Sequence, residues 1–192
     1  MKIIISDKNS KLGKIPNISL IPVKDCANCD HCMSDCYALK AWKQYPPVRT
    51  AWKSNSDAFR KDILWSINEV DEWLLAKRKP VKYFRIHVAG DFLTQAHVDA
   101  WTGLAVVHEG TKFLAFTKRH DLDFSNAPSN LQIIFSQWPG MPNDAPKGSR
   151  SSWVQDGTET RIPDTAIECS GKCDDCFICF ELGFQDVYFD QH

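Results

Sequence analysis

Four cysteines fall within the eleven residues 26–36 (CANCDHCMSDC), four more within the eleven residues 169–179 (CSGKCDDCFIC), and none lies elsewhere in the 192-residue chain. A chain of this length buries roughly 70% of the surface its unfolded form exposes, so it folds without covalent staples. The thiols therefore point to chemistry rather than to a disulfide framework. The N-terminal apolar run is only Ile3 to Ile5, too short for a secretory signal, and no stretch approaches the ~20 apolar residues of a membrane span. The expectation is a single domain over 1–192 in the cytoplasm, where thiols stay reduced.

Three uses of the thiols compete. Disulfides need an oxidising compartment. A zinc site of four cysteines usually joins two C-x2-C pairs across a longer span, whereas each set here is compact; two zinc sites, or one that includes His31, remain the structural alternative. Iron–sulfur clusters fit best. A cubane needs one thiolate at each of four irons, and spacers of two or three residues let a loop wrap around it. C-x2-C-x2-C-x3-C at Cys26, Cys29, Cys32 and Cys36 is the bacterial ferredoxin run, with Tyr37 in place of the usual proline. Cys169, Cys173, Cys176 and Cys179 carry the same intervals in reverse. The expected cofactors are two 4Fe–4S clusters. Asp25, Asp30, Asp35, Asp174 and Asp175 add negative charge that favours the oxidised form. The subset Cys169, Cys173, Cys176 also has the radical-SAM spacing, which makes S-adenosylmethionine a further candidate ligand. His31 is expected to donate a hydrogen bond to a thiolate rather than to ligate.

Hydrophobic residues make up 43% and charged residues 24%, as in ordinary soluble domains, and the net charge of −1 gives no global basic field for nucleic acid. Lys77, Arg78 and Lys79 form one local basic run. Residues 17–23 read as a short strand cut by Pro22. YALKAWK after Cys36 reads as a helix stopped by Pro46-Pro47. Phe59, Ile63, Ile67, Val70 and Leu74 recur at helical spacing, which predicts one helix capped near Ser54 or Asn55 and ended by Pro80. Residues 81–92 read as a strand running into a glycine turn, and Thr94 as the cap of a helix with Val98, Trp101 and Ala105 on one face. Residues 112–118 and 131–138 are largely apolar, as in parallel strands covered by helices on both faces. Residues 151–162 read as a hairpin turning at Asp156-Gly157.

The fold expected is α/β: a partial or open (β/α) barrel-like sheet, with Cys-rich cluster-binding loops 24–37 and 167–180 packed on one face. Its working face lies beyond the carboxyl ends of the strands. Within RIHVAGDF, alternation puts Arg85 and His87 on one face, with Gly90 and Asp91 at the strand end; Lys118 ends the next strand and Ser136 to Trp138 the one after. Charges inside an apolar strand are costly unless used or paired. The catalytic candidates are therefore Arg85 and Lys118 for a carboxylate or phosphate, His87 as proton donor and Asp91 for a substrate amine. Gly90, Ser136 and Trp138 are the cofactor-binding candidates, and Trp138 and Trp153 the tryptophans placed to line a pocket. The plainer reading pairs Arg85 with Asp91 as a neutral core couple.

The order CxxC…CYA, FRIHVAGDF, FLAFTK and a late C-x3-C-x2-C-x2-C resembles the phage and prophage gene-product-88-like family over roughly residues 15–180. That resemblance implies a phage origin and cluster binding. More distantly the chain resembles radical-SAM proteins with partial barrels, where Gly90-Asp91 would stand at the acidic turn that holds the methionine amine. The functional expectation is an iron–sulfur protein with redox or radical-SAM-like activity on a small molecule, beside two alternatives: an electron carrier or cluster-bearing binding module without catalysis, and a zinc-stabilised interaction protein. The expected partner is a small-molecule substrate or an electron-transfer protein, with no membrane.

Overall fold

β1 (Tyr83–Ile86) decides which side of the molecule is core. Phe84 and Ile86 are fully buried, whereas Tyr83 and Arg85 are half-buried on the opposite face. This is the two-residue period of a strand between unlike environments. The computed structural model describes residues 1–7, 9–142, 145–181, 183 and 185–191.

Three helices precede β1: α1 (Tyr37–Gln44), α2 (Pro46–Lys61) and α3 (Ile63–Leu75). α4 (Gln95–Val107) links β1 to β2 (Lys112–Thr117). β3 (Leu131–Gln137), β4 (Arg150–Gln155), β5 (Ile167–Glu168), the single turn α5 (Cys173–Cys176) and β6 (Val187–Asp190) follow. The six strands form one open parallel sheet in the order β1-β2-β3-β4-β6-β5. Among the described residues no helix is long and apolar enough to cross a membrane.

One helix expected across 55–79 is two. Asp62 leaves helical geometry at φ −155° and its carboxylate accepts from Trp65 N at 2.9 Å, so it caps α3. Pro46 and Pro47 stop α1 and also start α2, where their missing N–H groups go unneeded. Asn55, expected as a cap, sits inside α2 and bonds the backbone of Ile4 and Ser19. α3 ends before Lys77, whose ammonium lies 3.6 Å from the Trp73 ring centroid. Thr94 caps α4 as expected, accepting from His97 N. Residues 17–20 run beside β1 through backbone bonds to Arg85, Val88 and Ala89 without forming a regular strand. The hairpin expected at 151–162 is absent: β4 pairs parallel with β3 and β6, while Asp156 accepts from Thr158 N and Glu159 N and turns the chain out of the sheet.

Helices cover only one face. There Phe59, Val70, Leu74, Val98 and Trp101 close over Phe84, Ile86, Phe113 and Ala115. Each large side chain buried there contributes roughly 1.5–3 kcal/mol. The other face presents Leu114, Ile134, Tyr83 and Phe116, and is covered by Leu12 and Ile15 of the N-terminal segment and by Phe177 and Phe180 of the second cysteine loop. The expectation of helices on both faces is thus corrected: the apolar runs of β2 and β3 need two covers, and the second is loop.

His87 follows β1 with φ +46°, a left-handed step that breaks the alternation. Its ring enters the helix-side core, 5.0 Å from the rings of Phe92 and His97 and 6.1 Å from Trp101. The expectation that Arg85 and His87 share a face is therefore overturned. Both nitrogens of His87 are buried without a hydrogen-bond partner among the described residues, and burial, reinforced by His97 and Arg85, holds its pKa far below the usual value. In His97 burial lowers it to about 3. Leu93 N and Trp101 Nε1 stand 3.2 and 3.1 Å from the two His97 nitrogens, so a second proton would set N–H against N–H at both. The unfolded chain binds protons below about pH 6.5 that the folded chain refuses, so stability is complete above that pH and falls as pH drops toward 3. Between pH 6.5 and 5.5 the native chain should lose about 1 kcal/mol more unfolding free energy than His97→Gln, read from denaturant midpoints; equal slopes would refute a neutral buried imidazole.

Candidate metal centres and an adjoining cleft

The first cysteine loop lies across the carboxyl ends of β1, β2 and β3. Asn28 donates to Lys118 O at 2.9 Å, and a side-chain carbon placed on Gly140 would lie 3.9 Å from His31 Nδ1. Burial raises the Cys26 pKa against the pull of the Val23 backbone, Lys118 and the Gly90 backbone. Asp25 fixes the start of this loop. Its buried carboxylate accepts from Ile21 N (2.9 Å), Ser56 Oγ (2.5 Å) and Arg60 Nε (2.7 Å), and its carbonyl accepts from Asp91 N. Arg60 therefore neutralises a charge expected to act on the thiols. Cys36 ends the loop as the cap of α1, its sulfur 3.3 Å from Leu39 N. The thiols crowd one another: burial, then Cys32 and Cys26, push Cys29 up to about 12. Lys118 answers them. Burial pulls its pKa down, but Cys32, Asp91 and Cys26 outweigh that and raise it.

The second set follows β5, where Cys169 N bonds Tyr188 O, and folds back over the sheet. Cys169, Cys173, Cys176 and Cys179 line one small cavity with the apolar Phe177, Ile178 and Phe180 in its walls. Phe177 stacks on Tyr83 at 4.4 Å, and Arg150 donates to the carbonyls of Cys179 (3.3 Å) and Glu181 (3.1 Å). Burial pushes Cys179 up to about 11 against the pull of Arg150 and Arg85.

Arg85 lies between the two sets. Its guanidinium packs 4.1 Å from the Phe116 ring centroid, and Nε is buried without a hydrogen-bond partner among the described residues. Burial lowers its pKa, opposed by Tyr37 and then by Cys173, Cys179 and Cys169. The couple Arg85–Asp91 does not form. Asp91 accepts from Phe92 N (2.8 Å), Thr117 Oγ1 (2.6 Å) and Lys118 N (2.8 Å), tying the ends of β1 and β2 together, and is buried there. Gly90 has φ +78°, and a Cβ there would lie 2.5 Å from that of Leu20, so its role is close approach of the 17–20 segment.

Trp138 stands with Lys118 beside the first set, ring centroid to Nζ 5.5 Å, and Ser136 Oγ faces Ser152 Oγ at 3.5 Å. Trp153 is core, with Nε1 bonded to Asp186 at 2.8 Å, rather than pocket lining. Among the described residues no three His, Cys, Asp or Glu side chains are gathered to hold a single metal ion. A cubane makes another demand, because each thiolate binds a different iron and the sulfurs surround a body.

A cleft of about 360 Å³ opens on the helix side of the first loop. Its walls come from Lys24 to Ala27, the end of α2 (Phe59, Arg60), the start of α3 (Ile63), and the turns after β1 (Phe92 to Thr94) and β2 (Arg119). None of Arg85, His87, Asp91 and Lys118 lines it: His87 turns into the core, Asp91 ties β1 to β2, and the two cations face thiols.

Residues 3–181 match the family model described as Gene product 88. The chain belongs to that family. No curated relative and no solved structure matches this Gene product 88 family member.

Sequence reasoning missed Lys24, Arg60 and Arg119. The only signal was position, since Arg119 follows a strand end and Lys24 precedes the first thiol. Asp91→Ala removes the acceptor for one hydroxyl and two backbone N–H groups in a buried corner. The expected loss of unfolding free energy is about 3 kcal/mol, measured by denaturant unfolding; a native midpoint would refute the anchoring role.

Proposed function

We propose that this chain is an iron–sulfur protein that holds two 4Fe–4S clusters over a barrel-like sheet, one in each cysteine loop, and performs redox chemistry on a small molecule. Arg85 carries the reading. A guanidinium with a buried, unpartnered Nε and no carboxylate partner among the described residues is costly. The groups that offset it are thiolates of the second set, which thiols stay protonated to avoid unless a metal core draws their protons off. The raised pKa values of Cys29 and Cys179 express the same frustration from the other side.

Cys26, Cys29, Cys32 and Cys36 would hold one cluster and Cys169, Cys173, Cys176 and Cys179 the other, supplying one-electron transfer when bound. The chain's residues do the rest. Arg85 and Arg150 stabilise added negative charge at the second set, and Lys118 does so at the first. Phe177 and Phe180 keep water from the sheet side of the second set. Cys179 stands in the same cavity wall as the other three cysteines, which favours full thiolate ligation there over an iron left open for S-adenosylmethionine.

Anaerobic analysis should find about eight irons and eight sulfides per chain, falling to about four of each in Cys173→Ser/Cys176→Ser and in Cys29→Ser/Cys32→Ser. Stoichiometric zinc in a colourless native sample would overturn the proposal. Arg85→Leu should make one of the two reduction steps more negative and leave the other in place, measured by EPR-monitored titration; two unmoved potentials would remove Arg85 from the account.

A further inference from the structure

The geometry points to the 360 Å³ cleft beside Cys26 as a binding site for a small organic anion, a carboxylate or phosphate group on a flat apolar body. Lys24, Arg60 and Arg119 line it; Asp25 pairs Arg60 and Asp121 pairs Arg119, so Lys24 brings the uncompensated positive charge. Asp25 is already saturated by Ile21, Ser56 and Arg60, so it offers nothing to a cationic ligand. Arg119 is held rigid by Asp121 and by the carbonyls of Phe92 (2.8 Å) and Leu93 (3.0 Å). Donors remain. Arg60 uses Nε and Nη2 on Asp25 and Lys24 O, which leaves Nη1 unpartnered, and Lys24 Nζ has no partner among the described residues.

Two helices of thirteen residues also begin at the cleft, α3 at Ile63 and α4 after its cap Thr94. Each brings first-turn N–H groups and the positive end of its dipole. Phe59, Ile63, Phe92 and Leu93 supply apolar wall, so an inorganic anion would leave part of the site unused. The volume is near the lower end of the roughly 300–1,000 Å³ range of ligand sites, which suits one ring with one anionic group and excludes a dinucleotide. The position outside the carboxyl ends of β1 and β2 is where open parallel sheets bind ligands. Binding follows from these features alone; that the ligand exchanges electrons with the first cysteine set rests on the proposed function.

Calorimetry on the anaerobically purified full chain tests the site with four probes: phenyl phosphate, benzoate, inorganic phosphate and benzylamine. At least one aromatic anion should bind tenfold or more tightly than inorganic phosphate, with no saturable heat from benzylamine; the tighter of the two anions identifies the head group. Lys24→Glu, at an exposed position, should weaken that anion at least fivefold while leaving the unfolding midpoint unchanged. Ile63→Trp should block it by filling the wall. Benzylamine binding as well as the anions, or unaltered anion affinity in a natively stable Lys24→Glu, overturns the inference. An iron-replete chain that binds neither aromatic anion overturns the cleft alone. Saturable anion binding by an iron-free chain supports the cleft and overturns the clusters.

Discussion

A positive charge placed in β1 with no carboxylate partner among the described residues sets the terms for the rest of the molecule. Arg85 is flanked in its own strand by Phe84 and Ile86, whose burial fixes the strand's orientation and so commits Arg85 to the other face. On that face it meets Phe116 and the cysteines of the second loop. An unpaired ion in such a place costs several kcal/mol unless something of opposite charge comes with it. The C-terminal loop is what comes. Its aromatic residues seal the sheet through Tyr83, Leu114 and Ile134, and its thiols, after Tyr37, are the acidic groups that raise the Arg85 pKa against burial. The apolar seal and the charge balance therefore bring the same segment to the same place.

That arrangement also explains why cysteines so far apart in the chain serve one region. The first loop is pinned by the Asp25 carboxylate to Ser56 and Arg60 of α2, and by the Asp25 carbonyl, which accepts from Asp91 N, to the turn after β1. The second is carried across by β5 and β6, with β6 inserted between β4 and β5. Asp35 of the first loop accepts from Gln191, just past β6, at 2.8 Å, and Cys173 N bonds Lys11 O, so the segments at both ends of the chain are stitched directly. A sheet with helices on both faces would have had no room for this. The crossover 118–130 packs Leu122, Phe124 and Ala127 onto the helix-side core, which leaves the other face to the second loop.

Much of the architecture was legible because it is local. The cap at Thr94, the apolar runs of β2 and β3 and the buried stripe of α4 follow from spacing and chemistry within a few residues. What failed depended on single backbone steps or on distant partners. Nothing in RIHVAG announces that His87 adopts φ +46°, and that one angle moves it from the expected site into the core. Asp62 reads as an ordinary helix-surface acid until its extended conformation divides α2 from α3. Arg85 and Lys118 were legible as misplaced charges, but their partners are thiols from other segments. The cleft was invisible for the same reason: its three cations belong to three separated stretches, each unexceptional in its own surroundings.

Cleft and first cysteine loop are not independent structures, because one ion pair belongs to both. Arg60 faces the cleft with 41% of its side chain exposed, while the Asp25 carboxylate it holds is fully buried next to Cys26 in sequence. Such a pair is worth more than a surface bridge, since the buried partner has no water to fall back on. Asp25 is held further by Ser56 and Ile21, and its backbone carbonyl receives Asp91 N, so Cys26 inherits a fixed backbone from helix, loop and strand end together. Coupling between two sites requires a shared element that both bias, and the Arg60–Asp25 pair is the element that belongs both to the cleft wall and to the start of the first cysteine loop.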